Sequence, residues 1–442
     1  MSQNNKWSSF DTRWMLSLFG TAVGAGILYL PIKAGAGGFW PVVAMCIVIF
    51  PMVYLSHRAL SLFVSQAEGE RDITHAAEEY FGRKVSVFIS VLYFFAIFPI
   101  CLAYCVGITN TIESFIYNQI LPLITESNES ITGFIQSVYA TSINDKGQEI
   151  HKLLPLYRAI LVFLGVSAFM GIMLFSERFI TRVCELLVYP LCAALLIFSL
   201  YLIPYWSFDT FTHTPQWGDF LMVVWLTLPV LVFSFNHSPA ISTFALSVKQ
   251  EYGTQNALKK SNSILLATSS ILLVFVMFFV FSCVLALSPD EFAHAREQNI
   301  PILSYFANKL NQPIIAYGGP LIAFLAITTS FFGHYFGARE GAYGIVRKCC
   351  KLAGNENPNL KLIAISCGVA MYAIMLIVAY LDPSVLGFIE SLGGPIIAAI
   401  LFLMPIIAIW NVSKLKKFRN PALDAFVLIT GILTIITVIY QF

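Results

Sequence analysis

Apolar runs of about 20 residues recur along almost the whole chain, each long enough as a helix to cross a hydrocarbon core of about 30 Å. That pattern admits few folds. Inside lipid every backbone N–H and C=O needs a partner, so only helices and closed barrels can span. The runs are continuous rather than alternating with period two, which excludes the barrel. The charge content agrees: 11% of the chain is charged and 58% is hydrophobic, against roughly 25% charged in a soluble domain. The expected class is an all-α integral membrane protein whose solvent is the lipid bilayer.

Eleven spans are expected, over about 13–35, 39–64, 85–118, 155–176, 182–204, 219–247, 262–288, 314–347, 361–381, 385–410 and 422–441. A short polar leader, 1–12, precedes the first, which lacks a small-residue cleavage site and so reads as a retained span. With the amino terminus in the cytosol, 20 of the 26 Lys and Arg residues fall inside and six outside (Lys33, Lys146, Lys152, Arg158, Arg296 and Lys309). The opposite orientation inverts that ratio, so the positive-inside rule predicts a cytosolic amino terminus and an external carboxyl terminus. Topology alone thus accounts for the basic residues, and no nucleic-acid partner is implied. The nine cysteines lie in apolar runs or in segments expected inside, which predicts buried small side chains rather than a disulfide framework or a zinc site. Two loops have content of their own. Residues 72–84 have the pattern of a short amphipathic helix on the inner membrane surface. The external stretch 119–154 is the longest and most polar, and Asn128, Glu129 and Ser130 match a glycosylation acceptor, a weak signal by itself.

Two spans are interrupted. The first reads FGTAVGAGILYLP, with Gly20, Gly24 and Gly26 costing about 1 kcal/mol each in a helix relative to alanine. Small residues also let helices pack closely in membranes, so this stretch reads either as close packing or as an unwound segment. The sixth carries Ser234, Phe235, Asn236, His237 and Ser238 directly before Pro239. Proline disfavours helical geometry in the residue before it, which predicts a break at Ser238. Four polar residues at mid-membrane depth must face protein or water. Five spans separate the two interruptions, the arrangement of a five-plus-five inverted repeat with two discontinuous helices crossing at a central site. The repeats are expected over 13–204 and 219–410, with 422–441 as an additional helix. Such a site suits an amino acid: N–H groups of Gly24, Ala25 and Gly26 at a helix amino end meet a carboxylate, unwound carbonyls meet an ammonium, and Asn236 or Ser238 meets the side chain. Thr21, Ser234, Phe235 and His237 complete the expected substrate set, with Tyr104 of the third span a further candidate for the carboxylate.

The strings WMLSLFGTAVGAGILYLPIKAG, LYFFAIFP, GITNTIESF, VFSFNHSP, QNIPILSYFAN, SFFGHYFGAREG and IESLGGPIIAAILFLMP occur in order along nearly the full chain. They resemble the bacterial hydroxy and aromatic amino acid permeases, in particular the serine/threonine branch. The resemblance implies eleven spans, the fold typified by the bacterial leucine transporter, an inner-membrane location, and cation-coupled uptake of serine or threonine. Serine/threonine members carry a lysine immediately before the SF of the eighth-span motif, where this chain has Thr329. That departure puts family-style proton coupling in doubt. Leucine-transporter relatives build a sodium site from carbonyls at the first-span break and an Ala-x-x-Thr-Ser pattern on the eighth span. Gly20 and Val23 match one half, and Ala326, Thr329 and Ser330 the other. Sodium is the only bound ion expected, with no cofactor.

Other ionisable residues carry competing readings. Glu185 reads either as a proton carrier or, three residues after Arg182, as half of an interfacial ion pair. His334, Arg339 and Glu340 fit an inner structural network. His237 is either a structural histidine at the break or a proton site. Glu113, near the outer end of the third span, is expected to be solvated. A membrane enzyme needs a nucleophile, metal cluster or paired acids, and the chain contains no HExxH, no GxSxG and no close pair of intramembrane carboxylates. A channel or a sensor is the remaining alternative, without the repeated pore motif of the one or the soluble output domain of the other.

Overall fold

The computed structural model describes residues 6–68, 73–125, 133, 137–143, 149–212, 215–310, 312–355 and 357–440, with the side chains of 125, 177, 178, 181, 185 and 352 left aside. Among the described residues ten helices are long and apolar enough to cross a membrane, and there are eleven candidate spans when the bent pair Ser9–Ala22 and Ala25–Gly35 counts as one. The glycosylation tripeptide and the start of the 72–84 segment lie outside the described residues.

Span 1 is Ser9–Ala22 followed by Ala25–Gly35, bent by 58°. Ser8 and Asp11 close a capping box at its start. Span 2 is Phe39–Ser65. The helix Ile73–Phe115 holds the expected surface segment and span 3, separated by a kink at Gly82, and a π-helical turn, Ile116–Ile120, continues it. Spans 4 and 5 are Pro155–Ile172 and Glu177–Tyr201. Span 6 begins as Trp217–Ser234 and resumes at Ser238. The expected gap between spans 6 and 7, 248–261, is instead helical except at Gly253, whose φ of 69° and ψ of 161° divide the helix Ser238–Ala286 into the end of span 6 and the whole of span 7. Spans 8, 9, 10 and 11 are Pro313–Leu352, Leu360–Leu381, Val385–Asn411 and Pro421–Tyr440. Span 10 contains two π-helical turns, Ile389–Gly393 and Ala399–Leu403.

The all-helical expectation holds for the spans but not for the loop expected outside, where β1 (Tyr139–Ile143) and β2 (Glu149–Leu153) pair antiparallel with Tyr139 opposite Leu153. Short helices Pro289–Gln298 and Ile302–Lys309 join spans 7 and 8. Spans 2 and 7 with the second part of span 6 form one packed group, and spans 3 and 8 another. The fully buried aromatic residues include Tyr29, Phe235, Phe244 and Phe331 of spans 1, 6 and 8, so both broken spans pass through the interior of the bundle.

Candidate functional site

The two breaks abut. In span 1 the chain leaves the helix at Val23 (φ −74°, ψ 95°) and Gly24 (φ −151°, ψ −157°), then re-enters at Ala25. Of the three glycines only Gly24 is unwound, so both readings of this stretch hold, each for different residues. A Cβ on Gly26 would lie 2.9 Å from Ser234 Cα, at the end of the first half of span 6. A Cβ on Gly20 would lie 2.6 Å from Val188 Cγ2 of span 5. In span 6 the non-helical residues are Phe235, Asn236 and His237. Ser238 is the first helical residue and not the break, because proline is well accommodated in the first turn of a helix; the interruption moves upstream of it.

Gly24 faces span 8 and span 3. An added Cβ would overlap Ser330 Oγ, approach Ser330 Cβ to 2.7 Å and come within 3.1 Å of Tyr104 Oη. Tyr104 Oη and Ser330 Oγ are hydrogen-bonded at 2.8 Å. Tyr104, the third-span candidate for the carboxylate, thus stands beside the first-span break. Ser330 also contacts His334 Nδ1 at 3.4 Å, and that nitrogen lies 2.8 Å from the Ser330 carbonyl.

A cavity of about 620 Å³ reaches this point from the end of the bundle that carries Arg13 and Arg182, and is lined by Ser17, Gly20, Thr21, Thr329, Ser330 and His334 among others. The structure therefore brings together Gly20 and Thr21 with Thr329 and Ser330, from spans 1 and 8. Val23 and Ala326 are buried beside them. Thr329 Oγ1 donates to the Leu325 carbonyl at 2.9 Å, with the Ala326 carbonyl at 3.3 Å, and Thr21 Oγ1 donates to the Ser17 carbonyl at 2.9 Å. Such back-bonding uses a hydroxyl's hydrogen and leaves its lone pairs. Among the described residues no cluster of three or more His, Cys, Asp or Glu side chains is placed to hold a metal ion.

Ser234, Phe235, Asn236 and His237 do not line this cavity; they are buried at the sixth-span break. Asn236 Oδ1 accepts the Ser238 N–H at 3.1 Å, so this side chain already serves the unwound backbone. Ser234 Oγ is buried without a partner among the described residues, as is Tyr29 Oη. Tyr29 was not anticipated from the sequence; a Cβ on Gly107 would meet its hydroxyl at 3.3 Å, so it reaches span 3.

The end of the bundle expected outside carries charged networks, of whose members the basic residues Lys33, Lys152, Arg158 and Arg296 were read only as topological charges. Glu113, expected to be solvated, is buried: it accepts from Arg158 Nη1 at 2.6 Å and from the Leu153 N–H at 2.5 Å. Arg158 also donates to Asn110 Oδ1 at 3.0 Å and pairs with Asp382 at 3.2 Å, and Lys152 pairs with Asp382 at 2.5 Å. Glu390 of span 10 takes Lys33 of span 1 at 2.7 Å and Arg296 at 2.9 Å. The Glu185 side chain lies outside the description, so its pairing with Arg182 stays open.

With this geometry in place, the relatives can be compared. The profile of the tryptophan/tyrosine permease family matches residues 14–144. The serine transporter SdaC of Escherichia coli (strain K12) is 44% identical over 445 residues, covering 98% of this chain and 95% of that protein. The threonine/serine transporter TdcC of Edwardsiella tarda is 36% identical over 457 residues, covering 98% and 96%. Among solved structures, MhsT in complex with L-phenylalanine has a TM-score of 0.55 at 15% identity, covering 99% of this chain and 98% of that one. A manganese transporter of Eremococcus coleocola has a TM-score of 0.57 at 13% identity, covering 99% and 88%. The structural likeness establishes a leucine-transporter-like fold, and the sequence likeness establishes descent. The chain belongs to the hydroxy and aromatic amino acid permeases, the tryptophan/tyrosine permease family, in the branch whose curated members are serine and threonine/serine transporters.

Proposed function

We propose that this chain is a secondary active carrier that imports L-serine, L-threonine or both across the bacterial inner membrane together with a cation, by alternating access between two inverted five-span repeats, 13–204 and 219–410. The observation that carries this reading is the contact of the two breaks at Gly26 and Ser234, with the orphaned Ser234 hydroxyl at the junction. The amide groups that open the second half of span 1 have no acceptor within their own helix and carry its positive dipole end, which suits a carboxylate. Tyr104 Oη stands beside Gly24 to share it. The exposed carbonyl ends of both broken helices suit an ammonium group. Ser234 and Asn236 then face the substrate hydroxyl. A buried group that pairs with a hydroxyl is left unsatisfied by alanine, so serine and threonine should compete for uptake far better than alanine does. Leucine or tryptophan as the best competitor would overturn the substrate assignment.

Sodium is the favoured cation. The donor set fits a hard monovalent ion: carbonyls of Gly20, Val23 and Ala326 and hydroxyls of Thr329 and Ser330 are all neutral oxygens, and Gly20, Thr329 and Ser330 line one cavity. The second reading, proton coupling, is favoured by the buried histidines at the sixth-span break. Serine uptake into proteoliposomes, driven by a sodium gradient at equal pH and separately by a pH gradient without sodium, decides between them. Sodium drive should be retained by wild type and weakened about tenfold in apparent sodium affinity by Thr329→Ala, the equivalent of about 1.4 kcal/mol. Uptake driven only by the pH gradient and indifferent to Thr329→Ala would refute sodium and leave the carrier standing.

A further inference from the structure

Two histidines from different spans lie ring on ring at the sixth-span break. The rings of His57, on span 2, and His237 have centroids 3.5 Å apart and planes 9° from parallel, and both residues are fully buried. Their hydrogen bonds fix the tautomers. His57 Nε2 lies 3.1 Å from the His237 backbone nitrogen and accepts its N–H. The proton of a neutral His57 is therefore on Nδ1, which donates to the Val53 carbonyl at 2.8 Å. His237 Nδ1 lies 3.1 Å from the Phe235 carbonyl, which places its proton there and leaves Nε2 as a bare lone pair without a partner among the described residues.

His237 is the cap residue of the helix that begins at Ser238, yet its own side chain makes no capping bond. The unwound N–H groups are served from elsewhere: His237's by His57, and Ser238's by Asn236. A side chain from span 2 thus holds the sixth-span break in its present shape. This arrangement requires two neutral rings. A proton added to His57 Nε2 would set N–H against N–H and remove the acceptor. A proton added to His237 Nε2 would create a buried cation stacked on the other ring. Each ring faces the other. Spans 1, 6 and 7 pack against span 2. Of their charged groups Lys33 is engaged by Glu390, Lys249 by the Ser65 carbonyl and Asp11 by Lys260, and the hydrogen-bond partners of the two imidazoles among the described residues are backbone groups and Ser56 Oγ, with no ionisable side chain.

We propose that His57 is a positioning residue of the transport cycle, capping the sixth-span break through the His237 N–H, and that proton binding at the His57–His237 pair releases the break. Transport is then proton-sensitive at this point whichever cation drives it. The proposal rests on the carrier reading above, and the experiment separates the two. Serine counterflow in proteoliposomes at equal pH on both sides removes any proton drive. Wild-type exchange should hold near neutral pH and fall toward acid by up to about tenfold per pH unit on the limb. His57→Gln keeps an acceptor for the His237 N–H but no titratable ring. It should hold exchange near neutral pH within about twofold of wild type and lose the acid limb. His57→Ala, without an acceptor, should lose exchange at every pH. Should His57→Gln fold poorly, His57→Asn, which also keeps an amide acceptor and no titratable ring, is read against its own neutral rate and should also lack the limb. An acid limb unchanged in these variants, or absent from wild type, overturns the histidine proposal alone. Absence of serine and threonine exchange by wild type at every pH would overturn the carrier reading instead.

Discussion

Glu113 shows where a residue-by-residue reading of the sequence fails. Its position near the outer end of a span, beside a long polar loop, reads as solvated. Its partner Arg158 is 45 residues further along the chain, and the other anion that meets this guanidinium, Asp382, lies on the loop after span 9. No local period brings such residues together. The group of Glu113, Asp382, Arg158 and Lys152 is neutral in sum, and Asn110 and Asn299 fill the remaining acceptor positions on Asp382. Removing one partner of a buried pair leaves the other uncompensated, a cost of about 3–5 kcal/mol. Glu113→Gln and Arg158→Met should each lower the apparent melting temperature of the purified protein. The double variant should lose clearly less than the sum, because the second change removes the stranded charge. Additive losses would show that the two side chains act independently and that the geometry does not report their energetics.

At the scale of elements, most of the fold was legible because its signals are local. Gly24 marks the first break, and the polar run before Pro239 marks the second. The latter was misplaced by a few residues because Pro239 starts a helix rather than ending one. The join between spans 6 and 7 was not legible. The polar stretch KQEYGTQNALKK reads as a loop, yet it is helical on both sides of one glycine. Gly253 occupies a backbone region that other residues reach only with strain, and a Cβ there would meet nothing within 4 Å. Its substitution therefore tests the backbone alone. Gly253→Ala should destabilise by about 1–3 kcal/mol, read as a fall in apparent melting temperature. Gly368→Ala, in the middle of span 9 with equally open surroundings, should be neutral or stabilising by up to about 1 kcal/mol. Equal effects of the two would remove any special role for the Gly253 conformation in turning the chain from span 6 into span 7.

At the scale of the whole molecule, the two ends of the bundle differ in a way that defines a conformational state. The end expected outside is tied shut by Lys33, Glu390 and Arg296 and by the Glu113 network. The end expected inside opens into the cavity that reaches Thr329 and Ser330. Cys184 lines that cavity, so it reports on both sidedness and state. In a chain whose other cysteines are replaced, an impermeant maleimide should label Cys184 in inverted vesicles and not in right-side-out ones. Equal labelling from the two sides would overturn the orientation derived from the basic residues. Glu390 accepts both cations of its network and is 4% exposed at its side chain. Glu390→Gln removes the charge that holds Lys33 and Arg296 together while keeping the shape of the side chain. A ligand-free protein is a population of states, and weakening contacts made only when the outer end is closed must shift it toward the outward-open form. The inner cavity then closes more of the time, and Cys184 labelling in inverted vesicles should slow. If Glu390→Gln leaves that rate unchanged while serine still alters it, the outer ion pairs do not bias the equilibrium, and the closure of the outer end rests on packing alone.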